Sequence, residues 1–261
     1  MVDFQRVSRL YARGTGGAVV HALRDATFQV APGELVLVTG PTGAGKSTVL
    51  RLICGEERPS EGRLVVDGDD VATLGRRGLA RLRRRLGIVP AAGRLLGDRT
   101  VLGNVALVLS ALGAGPRHAR ARALEALEEA GLAPRATALP PELTAGELQR
   151  LLIARALAVD PCLLLADEPT AALDAEATRA VGAVLRDARD QGVTVVVASQ
   201  LSALAAELGA RTLVLDEGRL RADLPAPPDR VPPTPPSPPP AAGRRVGQRG
   251  ESEAPSTRGA G

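Results

Sequence analysis

The chain of 261 residues has no tryptophan, and its three aromatic side chains, Phe4, Tyr11 and Phe28, all lie within the first 28 positions. Proteins that bind single-stranded nucleic acid stack successive bases on aromatic rings, so that platform is missing here. Cysteine is almost as scarce. Cys54 and Cys162 are far apart and outside any C-x-x-C spacing, which argues against a disulfide framework and a zinc site and leaves two buried, reduced thiols. No apolar run reaches the roughly 18 residues of a membrane span, and the opening MVDFQRVSRL lacks the charged-then-apolar order of a secretory signal. A soluble, cytosolic chain is expected. With 44% hydrophobic and 24% charged residues, it is also long enough to bury a sizeable core.

Lysine is the most informative scarcity. Of 33 basic residues, 32 are arginine, and the only lysine is Lys46. A planar guanidinium does not thread where a compact ammonium on a slim stem must enter a loop, and a phosphate-binding loop is such a place. The formal charge of +4 and the six arginines between Arg76 and Arg85 are read as a solvated face, and no nucleic-acid partner is expected.

What is present alternates in type along the chain. ELVLVTG (Glu34 to Gly40), CLLLAD (Cys162 to Asp167), VTVVVAS (Val193 to Ser199) and RTLVLD (Arg211 to Asp216) are short apolar runs of the kind buried on both faces of a parallel sheet. The helical pattern Asp174 to Gly192 lies between two of them, so the class is α/β. From Thr100 to Val159 alanine, leucine, arginine and glutamate dominate, which predicts a helical subdomain, about 92–160, inserted in the sheet domain. Val101 to Gly113 is too apolar for a free surface, which leaves core packing or a docking face. Residues 1–220 are expected to form the folded domain. The stretch 221–261 holds PPTPPSPPP and few large apolar side chains, the composition of a disordered spacer or a proline-recognition segment.

Three motifs carry chemistry. Strand ELVLVTG runs into Gly40, Pro41, Thr42, Gly43, Ala44, Gly45, Lys46, Ser47 and Thr48, which matches G-x-x-x-x-G-K-[ST] between a strand and a helix. The glycines let backbone amides turn around phosphates, Lys46 reaches the β and γ oxygens, and the Ser47 hydroxyl is a magnesium ligand. LLLADEPT ends a strand with two carboxylates: Asp167 suits magnesium, directly or through water, and Glu168 suits polarising the water that attacks the γ-phosphate. In LTAGELQR, Thr144 and Glu147 are spaced as a capping box, and Ala145 and Gly146 leave the helix amides open toward an anion.

In this order and spacing the motifs resemble those of the ATP-binding cassette ATPases, over about Val2 to Leu220. The resemblance implies a phosphate-loop NTPase fold, with a RecA-like parallel sheet core, an N-terminal antiparallel β subdomain and the inserted helical subdomain. It implies ATP and Mg2+ as cofactors, Tyr11 against adenine, Asp174 in the D-loop, and a head-to-tail dimer, of this chain with itself or a paralogue. In that dimer the LTAGE segment of one copy closes over the γ-phosphate held by the other. RLLGDRTVLGNVAL (Arg94 to Leu107), ALPPELTAGELQR and ERPSEGRLVVDG are similar to the cell-division branch of the family, the FtsE proteins, whose partner is the integral membrane protein FtsX. A membrane subunit of that kind, meeting Val101 to Gly113, would hold this chain at the inner face of the cell membrane.

Two positions depart from the family pattern. Ala91 stands where the family has a glutamine near magnesium, and Gln200 stands where it has the switch histidine. Gln200 keeps a hydrogen-bond donor but cannot carry a proton. Thr144 replaces a serine and Ala145 a glycine in the signature. These changes leave ATP binding intact and predict slow basal hydrolysis, since losing one preorganised donor costs about 3 kcal/mol of transition-state stabilisation. The competing expectation is a scaffold that binds ATP and scarcely hydrolyses it. A DNA-repair ATPase of the same superfamily would carry a long coiled coil between the phosphate loop and the signature, and the gap here is about a hundred residues.

Overall fold

The computed structural model describes residues 1–13 and 18–227, and the side chains of Arg13 and Ala18 are not described. A six-stranded sheet has the order β10 (Arg219–Leu224), β9 (Arg211–Asp216), β3 (Leu35–Thr39), β8 (Thr194–Ser199), β7 (Leu163–Asp167) and β6 (Leu86–Val89). Five of its strands run parallel, and β10 pairs antiparallel with β9. A second, antiparallel sheet has the order β2 (Ala18–Val30), β1 (Val2–Arg13), β4 (Glu61–Val66), β5 (Asp69–Asp70). This is the α/β phosphate-loop architecture with its N-terminal antiparallel subdomain.

The apolar runs are buried on both faces because the period of two divides each strand between two cores. Leu35, Leu37, Leu164, Ala166, Val195 and Val197 face one cluster. It packs against α5 (Ala145–Leu157) and α6 (Ala175–Asp190). Val36, Val38, Leu163, Leu165, Val196 and Ala198 face the other, with α1 (Lys46–Ile53) and the apolar side of the antiparallel sheet. There Phe4 and Phe28 stack with ring centroids 4.3 Å apart. Each such leucine or valine removed from water contributes about 1.5 to 3 kcal/mol, which makes both cores indispensable.

Between β6 and β7 lie α3 (Val101–Ala111), α4 (Pro116–Glu129), two short 3-10 turns and α5. Thr100 caps α3 by accepting from the Gly103 amide at 3.0 Å, the role its side chain suits. The buried Asn104 ties the preceding loop to this helix: its Oδ1 accepts from the Leu96 amide at 2.7 Å, and its Nδ2 donates to the Leu96 and Thr100 carbonyls. The two expectations for Val101 to Gly113 divide between faces of one helix. Val101, Leu102, Val105 and Leu109 are buried, whereas Leu107 and, just past the helix, Leu112 are exposed.

The boundary expected at residue 220 falls inside β10. Composition places Arg221 to Leu224 with the following segment because a change toward few large apolar side chains begins there. Pairing with β9 orders them instead, with Arg211 bonding Asp223 through Nε at 2.7 Å and Nη2 at 2.5 Å. The rest of the expected tail, from residue 228 on, lies outside the described residues. The remaining elements are α2 (Arg76–Arg84) and α7 (Leu204–Leu208). No helix among the described residues is long and apolar enough to cross a membrane.

Candidate nucleotide site

Parallel strands leave their C-terminal ends on one edge, where an α/β sheet gathers its ligand groups. Here that edge carries the turn after β3, Asp167 and Glu168 after β7, and Ser199 and Gln200 after β8. Register makes the alignment: Thr39 lies beside Ser199, and Asp167 beside Ala198.

The loop from Gly40 to Gly45 joins β3 to α1. Two of its glycines are required by space as well as by conformation. Gly45 has φ +104°, and a Cβ there would lie 2.2 Å from the carbonyl oxygen of Ala22; Gly40 has φ +149°, and its Cβ would meet the Leu215 carbonyl oxygen at 2.0 Å. Only glycine accepts both conditions. Lys46, buried to 6% exposure, folds back over the loop, its Nζ donating to the carbonyls of Gly40 at 2.8 Å and Pro41 at 3.0 Å. Two loop carbonyls thus hold the ammonium over the turn.

Ser47 Oγ donates to Asp167 Oδ1 at 3.0 Å. A hydroxyl and a carboxylate brought together in this way are the hard oxygen donors that Mg2+ takes when substrate phosphates and water complete its shell. No cluster of three or more His, Cys, Asp or Glu suited to a metal exists among the described residues. Burial pushes the Asp167 carboxyl above its ordinary value; the Ser47 hydrogen bond opposes this, and the adjacent Glu168 charge reinforces it.

Glu168 takes a left-handed backbone conformation, φ +48°, uncommon for a residue with a side chain. Its amide donates to the Ala198 carbonyl at 2.8 Å. Its carboxylate accepts from Ser199 Oγ at 3.2 Å and the Gln200 amide at 3.1 Å, with Lys46 Nζ 3.9 Å away. Thr42 Oγ1 donates to Gln200 Oε1 at 3.1 Å. The phosphate loop, the two carboxylates and the residue at the switch position therefore form one connected cluster.

Two groups of expected residues stand apart from that cluster. Thr144, Ala145, Gly146, Glu147 and Asp174 line a separate cleft of about 360 Å3 between the start of α5 and the start of α6. The capping box is present in both directions, Thr144 N donating to Glu147 Oε2 at 2.8 Å and Glu147 N to Thr144 Oγ1 at 3.2 Å. That backbone hydrogen bond from Thr144 holds the Glu147 carboxyl below its ordinary value. Tyr11 is bound up with neighbours: its hydroxyl donates to Glu57, which Arg9 Nε also bonds at 2.8 Å, and the Arg9 guanidinium lies 4.8 Å from the ring centroid. Ala91, exposed after β6, offers a methyl group where the resemblance implies a glutamine.

The side chains of Ser199 and Glu57 are absent from the sequence expectations. Ser199 ends an apolar strand one step past the neighbour of Asp167, a signal legible only once the register of the strands is known. Glu57 lies 46 positions from Tyr11 and carries no local signal at all.

A family model described as ABC transporter matches residues 23–171, more than half of the chain. The chain belongs to the ABC transporter family. This cassette is 40% identical over 220 residues to the cell division ATP-binding protein FtsE of Escherichia coli K12, covering 84% of this chain and 97% of that protein. It is 42% identical over 221 residues to the methionine import ATP-binding protein MetN of Caulobacter vibrioides, covering 84% of this chain but 65% of the MetN chain. Among solved structures, a dimer of the ATP-binding cassette MJ0796 in a post-hydrolysis state with ADP and Pi matches at TM-score 0.78 and 32% identity, covering 88% of this chain and all of that one. The connected cluster and the separate cleft are thus parts of an ABC transporter cassette.

Proposed function

We propose that this cassette is the ATP-binding subunit of a membrane complex, that it binds Mg-ATP at the Gly40 to Thr48 segment, and that it hydrolyses ATP slowly. The connection of Ser47, Asp167, Glu168 and Gln200 around the buried Lys46 carries this reading. Lys46 and the loop amides hold the phosphates. Ser47 and Asp167 present the oxygens for Mg2+, which when bound shields the phosphate charge and orients the terminal group. Glu168 accepts a proton from the attacking water, and its carboxylate is aimed by Ser199 and the Gln200 amide.

No hydrogen bond joins the Thr144 to Glu147 and Asp174 cleft to the loop among the described residues. A head-to-tail dimer, with itself or a paralogue, would bring the cleft of one copy over the nucleotide of the other. The dimeric MJ0796 cassette supports this arrangement.

For the membrane subunit, the supporting surface is a groove of about 420 Å3 beside the sheet edge, lined by the exposed Ile88 and Leu112, the half-buried Val108, and Arg84 and Arg155. The match along nearly the whole of FtsE supports an FtsE-like role with an FtsX-like partner, at the inner face of the cell membrane. The MetN relatives support import as the second role. Ala91 and Gln200 support a second reading of the chemistry, an ATP-binding scaffold with negligible turnover.

The test is equilibrium dialysis with Mg-ATP, phosphate release by the same protein, and capture of the bound integral membrane protein in the presence of ATP. Lys46→Ala removes charge-assisted hydrogen bonds worth about 1.5 to 3 kcal/mol, and is expected to weaken ATP binding at least tenfold without loss of helix content. Unchanged affinity would overturn the phosphate-loop assignment.

A further inference from the structure

The side of α2 that the core leaves uncovered carries charge of one sign. From Val71 to Gly97 the chain holds seven arginines and no aspartate or glutamate. Within α2 the helical advance of about 100° per residue gathers Arg76, Arg77, Arg81 and Arg84, with Ala80, into an arc of about 140°. All five are exposed. The opposite side is fixed to the domain: Leu82 is fully buried, and Leu79 packs so closely on Gly55 that a Cβ there would lie 2.5 Å from its Cδ2. Arg83 ties the helix to the end of α1, donating through Nε to the Cys54 carbonyl at 3.0 Å and through Nη2 to the Gly55 carbonyl at 2.7 Å. The arginine arc is therefore held outward.

Nothing among the described residues neutralises it. The side chains of Arg76, Arg77, Arg81 and Arg84 make no ion pair and no hydrogen bond there, and the acids that precede the helix are already engaged, Asp67 and Asp69 with Arg85 and Asp70 with Arg63 at 2.9 Å. Like charges one turn apart, as Arg77 and Arg81 are, destabilise a helix. An anionic surface relieves that repulsion. The end of α2 also borders the apolar groove assigned above to the membrane subunit, with Arg83 and Arg84 in its lining, so a partner seated there brings the helix to the membrane side. The arc has no large apolar side chain to insert among lipid tails and no aromatic ring to stack a base. What it offers is several guanidinium groups in no closed geometry, which suits a layer of anionic headgroups. We propose that α2 rests its Arg76, Arg77, Arg81 and Arg84 face on anionic lipid headgroups, an electrostatic contact that supplements the membrane subunit. The choice of anion rests on the membrane-complex reading given above.

The test is sedimentation of the full chain with protein-free vesicles, zwitterionic or about one-third anionic. Binding is expected to the anionic vesicles alone, falling steeply as salt rises from about 0.05 to about 0.5 M. Each arginine at such a surface is worth about fivefold, so Arg76→Gln, Arg77→Gln and Arg81→Gln combined should weaken binding at least tenfold. Helix content and Mg-ATP affinity should stay unchanged. The same three positions changed to lysine should retain binding, because charge without a fixed fork suffices. Equal binding to both kinds of vesicle, anionic binding that the glutamine variant keeps, or loss of binding with lysine would each overturn the proposal. Tighter binding to a short DNA duplex than to the vesicles, lost in the glutamine variant, would assign the face to nucleic acid instead. The vesicles hold no protein, so their outcome is separate from capture of a membrane subunit: a chain that captures none refutes the complex, whereas the vesicles decide the lipid contact.

Discussion

The hydroxyl of Ser47 donates to the carboxylate of Asp167 at 3.0 Å, although 120 positions separate them in the chain. One residue lies in the first turn of α1 and the other closes β7, so the contact spans the sheet from the strand that leads into the phosphate loop to the strand that carries the acids. Without it there would be a loop able to hold phosphate and, elsewhere, an acid able to hold a cation. With it the two share one place.

Magnesium dependence follows from this pair. Asp167→Asn removes the charge and leaves an amide of nearly the same shape. ATP affinity measured with Mg2+ is expected to fall at least tenfold, while affinity measured with the cation chelated changes less than about threefold, since loss of a charged ligand costs roughly 1.5 kcal/mol or more. Equal losses under both conditions would show that Asp167 does not hold the cation.

Turnover tests the roles of Glu168, Gln200 and Ala91 together. Glu168→Gln is expected to lower phosphate release by about a hundredfold or more, with ATP affinity nearly unchanged. Gln200→His combined with Ala91→Gln is expected to raise it tenfold or more, and Glu168→Gln added to that pair should remove the gain. The restored histidine also introduces a titrating group, so turnover of the pair should acquire an inflection at about pH 6.5 that the unmodified chain lacks. A restored pair that stays inert would locate the defect in Ala145 and the signature, or in a missing partner subunit.

The capping box of α5 has a consequence for stability and its pH dependence. Thr144→Ala should cost about 1 kcal/mol, read as a fall in melting temperature of about 2 to 4 °C for a domain of this size. Glu147 titrates below its ordinary value because of the Thr144 amide. A carboxyl depressed in the folded state stabilises above its unfolded pKa, about 4.3, and that contribution is lost as the pH falls through the folded value. The gap in stability between the unmodified chain and Glu147→Ala should accordingly narrow on acidification from pH 7 to below pH 4. A constant gap would mean that the side chain acts through packing alone.

The last strand supplies an experiment on the domain boundary. A chain ending at Leu224 keeps β10 and the Arg211 to Asp223 pair, whereas one ending at Gly218 loses both and leaves the edge of β9 open. The shorter form is expected to melt several degrees lower, and a single substitution in the longer one, Asp223→Ala, to reproduce part of that loss. Identical melting curves for the two lengths would mean that β10 contributes nothing to the fold.

Much of this protein follows from local pattern. The runs LVLVT, LLLAD and TVVVAS are strands because their length, branching and continuous apolarity suit only a sheet covered on both faces. Thr144 and Glu147 start a helix because their spacing lets each satisfy an amide of the other. Glycines at 40, 43 and 45 and a lone lysine at 46 specify a phosphate loop by the geometry of a few consecutive residues. Each of these signals is complete within one turn or one strand, so no knowledge of the fold is needed to see it.

Tertiary structure decided whatever depends on which strands lie side by side. The sequence places Asp167, Ser199 and Gln200 at strand ends, but only the order β3, β8, β7 sets them beside Thr42 of the loop and Ser47 in the first turn of α1. The same holds for Tyr11, whose partner Glu57 lies beyond α1, and for Arg221 to Leu224, which composition assigns to a disordered stretch and β9 recruits into a sheet. The physical reason is the hydrogen-bonding backbone itself: a strand's apolar pattern states that it needs neighbours without naming them, and every side chain at its end takes its partners from whichever strand supplies the pairing.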